Sequence, residues 1–328
     1  MEYLLLISVF VSFALAALVL PTWIRKCREI DLLWEDMNKV GHPRNVASSG
    51  GIIIVMAFVL GVLSYVALKT FLFGGTANAL DIFALLSVIL ILGVVGLTDD
   101  LLGWKNNGLS IKIRVVLALV ASVPLVVINA GTSSVSLPFF GAVNFGIFFP
   151  LVLIPLAVAG AATTYNFLAG FNGLEAGQGI LILSFLSFVA YATGSPWLAI
   201  VGLCMVASLI AFYFYNKVPA KVFPGDMMTY STGALIAGMA ILGNFEKIAL
   251  IVFIPYFFEI ILKLRGGLKK HSFGIPRKDG TLKLPYKKIY GLEHLAIKVL
   301  GKGATERKVT YLIHAFQIIF ILLAFLVM

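Results

Sequence analysis

Charge is scarce in this sequence: Asp, Glu, Lys and Arg make up only 12% of its 328 residues, while 60% are hydrophobic. A water-soluble domain carries about 25% charged residues, so an ordinary soluble fold is excluded. Cysteine is nearly absent. Cys27 and Cys204 are too few for a disulfide framework, and no CxxC pair offers a metal site. Both sit in or beside apolar segments, as small buried hydrophobes do. His42, His271, His294 and His314 form no HExxH or HxH pattern. The formal net charge of +10 does not point to nucleic acid. In so apolar a chain it points to cytoplasmic loops beside anionic lipid.

Long apolar runs are what the chain has in abundance. A membrane-spanning helix needs about 20 mostly apolar residues, and ten such runs occur, at 3–24, 50–68, 80–98, 113–130, 147–165, 178–194, 197–215, 228–243, 247–263 and 309–328. They predict an all-α, polytopic membrane protein, a single membrane-embedded domain over residues 1–328. The stretch 264–308 is a basic loop within it. The first run is too long for a cleavable leader and has no basic residue ahead of it. Arg25, Lys26 and Arg28 follow it and orient the chain by the positive-inside rule. Alternation then places 25–49, 99–112, 166–177, 216–227 and 264–308 in the cytoplasm. Every Lys and Arg except Lys69 and Lys247 falls in or beside those segments. Both termini are expected outside. TSSVSLPFFGAVNFG (132–146) reads as a short outer hairpin around Pro138 and Gly141.

Four carboxylates stand at the ends of these oily runs, where ionisable groups are costly and usually have a task. Asp99 and Asp100 open DDLLGW, Glu175 lies in NFLAGFNGLEAGQG (166–179), and Asp226 lies in VFPGD (222–226). The predicted orientation puts all four on the cytoplasmic side. Adjacent residues on a helix point about 100° apart, so Asp99 and Asp100 need not share a ligand. Either they or Asp226 could simply cap a helix. Asn166, Asn172, Glu175 and Gln178 bring amide and carboxylate oxygens to one junction, while Gly170, Gly173 and Gly177 allow close backbone approach. Irregular backbone at membrane depth is tolerated mainly where it is buried or lines a wet cavity. A carboxylate with a distant amide oxygen suits Mg²⁺, which prefers oxygen and often bridges substrate phosphates. Lys and Arg in 264–308, among them Arg265, Lys269, Lys270 and Arg277, suit phosphate, although positive-inside topology also explains them. Carboxylates, cations and a bilayer together describe phosphoryl chemistry on a lipid. A transporter would place such groups near the bilayer midplane, and here the midplanes are apolar.

The ordered set DDLLGW, NFLAGFNGLEAGQ and VFPGD resembles the polyprenyl-phosphate N-acetylhexosamine-1-phosphate transferase family, most of all its dolichyl-phosphate branch. The likeness runs from DMNK (36–39) to TERKVTY (305–311). It implies ten membrane helices and transfer of an N-acetylhexosamine-1-phosphate, GlcNAc-1-phosphate first, from a UDP-sugar to dolichyl or polyprenyl phosphate with release of UMP. It implies Mg²⁺, with Mn²⁺ as an alternative, bound by Asn166 and Asp226. Asp99 and Asp100 match its paired catalytic aspartates, and Lys112 and Arg114 are alternatives for its phosphate-binding lysine. Asn172 and Phe223, with Gly170 beside them, match the positions that hold uracil. Glu175 then braces that loop.

Departures from the family pattern are also informative. HSFGIPR (271–277) stands where the eukaryotic members carry an HRIPR-like run, which leaves His271 and Arg277 as the candidates for contacting the sugar. VASSGG (46–51) resembles the Gly-Gly pattern of prokaryotic relatives. Together they suggest an archaeal enzyme of protein N-glycosylation, working at the plasma membrane rather than the endoplasmic reticulum, with a homodimer left open. The alternatives are a multi-spanning transporter or flippase with a cytoplasmic gate, and a cell-wall relative using a UDP-muramyl-peptide. The missing histidine triplet in the last loop counts against the cell-wall relative.

Overall fold

The computed structural model describes residues 5–75, 77–106, 108–137 and 141–328, the side chains of residues 104–106 and 137 excepted. Helices dominate: α1 (Leu6–Glu29), α2 (Gly51–Leu72), α3 (Ala79–Asn106), α4 (Ile111–Ala121), α5 (Val123–Val127), α6 (Ile154–Phe167), α7 (Leu174–Ala192), α8 (Pro196–Asn216), α9 (Gly225–Gly243), α10 (Glu246–Val252), α11 (Ile254–Arg265), α12 (Leu292–Leu300) and α13 (Glu306–Val327). Three two-stranded antiparallel ribbons accompany them: β1 (Leu33–Glu35) with β2 (Arg44–Ala47), β3 (Ser134–Leu137) with β4 (Gly141–Asn144), and β5 (Ile275–Pro276) with β6 (Leu282–Lys283). The β3–β4 ribbon is a hairpin within 132–146, as expected from sequence, although Pro138 lies outside the described residues.

Each of the ten apolar runs falls on a helix or on two consecutive helices, but only seven helical segments among the described residues are long and apolar enough to cross a membrane. The other three runs differ for physical reasons. The fourth is broken at Ser122, where Pro124 starts α5, and the ninth at Phe253, where Pro255 starts α11. Proline lacks an amide donor and collides with the carbonyl four residues back, so it ends the preceding helix. The eighth run, α9, opens with the polar sequence GDMMTYST. It can afford those residues because it lies inside the bundle: every residue from Met227 to Ile241 is buried.

α9 packs on α3, α6 and α2. Small residues make those contacts close. A Cβ at Gly96 of α3 would stand 2.5 Å from the Asp226 backbone carbonyl, and one at Gly233 would stand 2.6 Å from Ala162 of α6. Interfaces of this kind let helix backbones approach where lipid provides no hydrophobic drive for association. The result fixes the end of α3, the start of α9 and the end of α6 against one another. Those three ends carry Asp99 and Asp100, Asp226, and Asn166.

Candidate active site

A cavity of about 870 Å³ opens at these helix ends. Asp100, Asn166, Gly170, Asn172, Glu175, Phe223, Asp226 and His271 all line it. Residues up to 171 positions apart in the chain thus meet in one chamber. Asp99 and Arg114 stand directly behind Asp226. Lys112 and Arg277 do not join them: both are exposed, and neither lines the cavity.

The aspartates are held by different means. Asp100 Oδ1 accepts a hydrogen bond from the Asp226 backbone N–H at 2.7 Å, and its Oδ2 faces the Met227 N–H at 3.4 Å. A residue at the end of α3 therefore caps the start of α9, where the orphan amides and the helix dipole favour negative charge. Gly225 makes the approach feasible. Its φ of +69° suits glycine, and a Cβ there would strike the Asp100 carboxylate, 2.8 Å from Cγ. Asp99 instead accepts from the Leu109 amide and pairs with Arg114 through Oδ2 at 3.0 Å.

Arg114 Nη1 also reaches Asp226 Oδ2 at 3.3 Å, so one guanidinium nitrogen bridges two carboxylates. Asn166 Nδ2 donates to the same Asp226 oxygen at 3.1 Å, and Asn166 Oδ1 accepts from Thr229 Oγ1 at 3.0 Å. Arg114 thus serves two of the three carboxylates, while Asp100 is held by backbone amides, and the cluster keeps an excess of carboxylates and of oxygen donors. An assembly of this kind suits a hard cation. Among the described residues, no three of His, Cys, Asp and Glu are grouped as a complete metal shell. Mg²⁺ is commonly bound through one or two carboxylates, with waters and substrate phosphates completing its shell, so the donor set fits that cation.

The glycine-rich junction is organised by buried side chains. Glu175 Oε1 accepts from the Gly170 N–H at 2.8 Å, which braces the loop from inside. Asn172 is nine-tenths buried: its Nδ2 donates to Asp36 Oδ2 at 3.0 Å and its backbone N–H to Glu306 Oε1 at 3.0 Å. Lys39 pairs with both Asp36, at 3.4 Å, and Glu306. Gly173 N–H is accepted by Asn216 Oδ1 at 3.1 Å. Phe223 is set by backbone pairing rather than by its side chain. Its N–H donates to the Ala47 carbonyl at 2.8 Å and its carbonyl accepts from Gly50 at 2.9 Å.

The opposite wall comes from the loop between α11 and α12, with His271, Phe273, Gly274, Ile275 and Pro276. Beneath it, Lys263 pairs with Glu259 at 3.3 Å and donates to Ser272 Oγ at 2.5 Å. His294 is fully buried against Tyr286, and burial with the nearby Lys263 charge pushes its ring down to about 4, so it remains neutral there.

Sequence reasoning missed several of these groups. Trp34, His42 and Arg44 from the β1–β2 ribbon line the cavity, and Asp36, Asn38, Lys39 and Glu306 hold its loops. The available signal was DMNK, four residues with three polar side chains, followed much later by a glutamate at the mouth of an apolar helix.

Known proteins bear on this arrangement. The profile of glycosyl transferase family 4 matches residues 82–244. Over 322 residues the chain is 34% identical to a protein of Saccharolobus solfataricus, covering 98% of this chain and 95% of that one. That protein is provisionally named a UDP-N-acetylglucosamine–dolichyl-phosphate N-acetylglucosaminephosphotransferase. A Dictyostelium discoideum protein of the same name is 28% identical over 295 residues, covering 78% of this chain and 71% of its own. A phospho-N-acetylmuramoyl-pentapeptide-transferase of Halalkalibacterium halodurans is 29% identical over 264 residues, with 77% and 79% covered.

Proposed function

The chain belongs to glycosyl transferase family 4, and from that premise we propose that it transfers N-acetylglucosamine-1-phosphate from UDP-N-acetylglucosamine to dolichyl phosphate or a related polyprenyl phosphate. The observation that carries this reading is the convergence of Asp100, Asp226 and Asn166 at one end of a chamber whose remaining walls are a glycine-rich loop, Phe223 and the His271 loop. Ten spans, a cytoplasmic chamber and residence in an archaeal plasma membrane complete the proposal. The distribution of Lys and Arg along the sequence supports that orientation.

The reaction needs no covalent enzyme intermediate. An oxygen of the lipid phosphate bonds to the β-phosphorus of the UDP-sugar, and the bond from that phosphorus to the UMP oxygen breaks, its electron pair leaving with UMP. A phosphate monoester, with a second pKa of about 6, is already mostly ionised near neutral pH. Positioning therefore matters more than proton abstraction. Asp99, occupied by the Leu109 amide and Arg114, serves to hold Arg114 in place. Arg114 orients Asp226 and offsets the negative charge gathered at the chamber's end. Asp226, Asp100 and an Asn166 amide turned to present its oxygen would hold Mg²⁺, which supplies charge stabilisation to the phosphoryl oxygens. Gly170 and Asn172 face the uridine, with Phe223 as its platform, and His271 lies on the sugar side.

Purified protein supplied with UDP-N-acetylglucosamine, Mg²⁺ and dolichyl phosphate should release UMP, and should release none without the lipid. Flux of intact UDP-sugar across sealed vesicles, with no cleavage, would identify a transporter instead.

A further inference from the structure

Asn38, in the loop between β1 and β2, touches two walls of the chamber at once. Its Nδ2 donates to the Gly170 carbonyl at 2.8 Å, and its Oδ1 accepts from the Gly274 backbone N–H at 3.1 Å. The side chain is buried, the bond to Gly274 fully and the bond to Gly170 in part, and loss of either would leave a backbone group without its partner. The two loops also touch directly. Gly170 has φ +105°, and a Cβ there would stand 2.8 Å from the Phe273 ring. Asn38 is itself anchored: its N–H faces Asp36 Oδ1 at 3.4 Å, while Asp36 holds Asn172 and Lys39 ties Asp36 to Glu306.

We infer that Asn38 is a specificity-determining positioning residue whose amide ties the glycine-rich loop (170–173) to the α11–α12 loop (271–276). The inference rests on the transferase reading for what each loop faces: the nucleotide base on one side, the amino sugar on the other. Because one amide spans both, the spacing between base and sugar recognition is held at a single value. A UDP-sugar lacking the acetamido group is then rejected by geometry as well as by missing contacts. Asn is the apt residue, since it offers a donor and an acceptor on one short side chain. Aspartate keeps only the acceptor, and alanine keeps neither.

Hydrogen exchange on the full-length protein in lipid nanodiscs, without substrate, tests the tie directly. N38A should raise exchange in 168–173 and in 272–276 together. N38D, which keeps the acceptor for Gly274, should raise it chiefly in 168–173, and carries the test should N38A fail to fold. Exchange rising in one loop alone for N38A, or in neither, overturns the inference. Kinetics then read the consequence. The ratio of kcat/KM for UDP-N-acetylglucosamine over UDP-glucose should fall about tenfold in N38A, the scale of one to two buried hydrogen bonds. Inhibition by UMP should shift less than about threefold. An unchanged ratio overturns it, as does an equal loss of UMP affinity, which a general loosening of the fold would produce. If the wild-type protein cleaves no UDP-sugar, the transferase reading fails, and the exchange data still judge the strut.

Discussion

Asp100 of α3 caps α9 by accepting the backbone N–H of Asp226 at 2.7 Å, so the carboxylate of one aspartate fixes the main chain of another. The pair couples the position of the chamber's end to the packing of two central helices. Asp100→Ala should remove the cap and leave the first amides of α9 without an acceptor. The expected cost is about 1–2 kcal/mol in stability, with turnover down about 100-fold or more, since a misplaced reacting group costs that much. Asp100→Asn keeps one oxygen acceptor and should fold better than alanine while remaining strongly impaired. Thermal unfolding of the purified variants beside UMP release would show the two effects separately.

Gly225→Ala attacks the same contact from the other side. The new Cβ would meet the Asp100 carboxylate and force a non-glycine residue to hold φ +69°. Strain in this backbone region is worth about 1–3 kcal/mol. A lowered unfolding midpoint and lost activity are expected together. A variant as stable and active as wild type would contradict the close approach.

Lys112 and Arg114 should separate cleanly. Arg114→Ala leaves Asp99 and Asp226 facing each other without a cation, and should lower kcat by about 100-fold, the scale of losing a preorganised charge at a phosphoryl site. Arg114→Lys should recover only part, because a lysine offers a point charge in place of a planar fork. Lys112→Ala, an exposed position with no ion partner among the described residues, should stay within about threefold of wild type. Steady-state rates for the three variants check this.

Glu175→Ala removes the acceptor for the Gly170 N–H, and a buried unpaired amide costs about 1–3 kcal/mol. Because Gly170 faces the nucleotide in the proposed reaction, KM for the UDP-sugar should rise more than kcat falls. A loss confined to kcat would place Glu175 in the chemistry instead.

The sequence made the chamber's ends legible, because carboxylates stand out against apolar runs: Asp99, Asp100 and Asp226 could hardly be overlooked. The choice between Lys112 and Arg114 was not legible, since residues two apart on a helix point in widely different directions and only the packing of α4 decides which one meets Asp99. The ties made by Asp36, Asn38 and Glu306 were hidden for another reason. Their partners lie more than a hundred residues away, at Gly170, Asn172 and Gly274, and each residue alone looks like an ordinary loop or helix-start residue. The helix count was blurred where Pro124 and Pro255 split apolar runs, and where burial freed α9 from the need to be apolar throughout.

The central claim is that the sugar travels with its phosphate. UDP-N-acetylglucosamine labelled with ³²P at the β-phosphorus, incubated with the protein, Mg²⁺ and dolichyl phosphate, should deliver the label to the butanol-extractable lipid and leave UMP unlabelled. The transfer should stop on chelation of the metal and in Asp226→Ala that remains folded. Label retained in a water-soluble nucleotide diphosphate, with the sugar alone passing to lipid or nothing passing at all, would contradict the account.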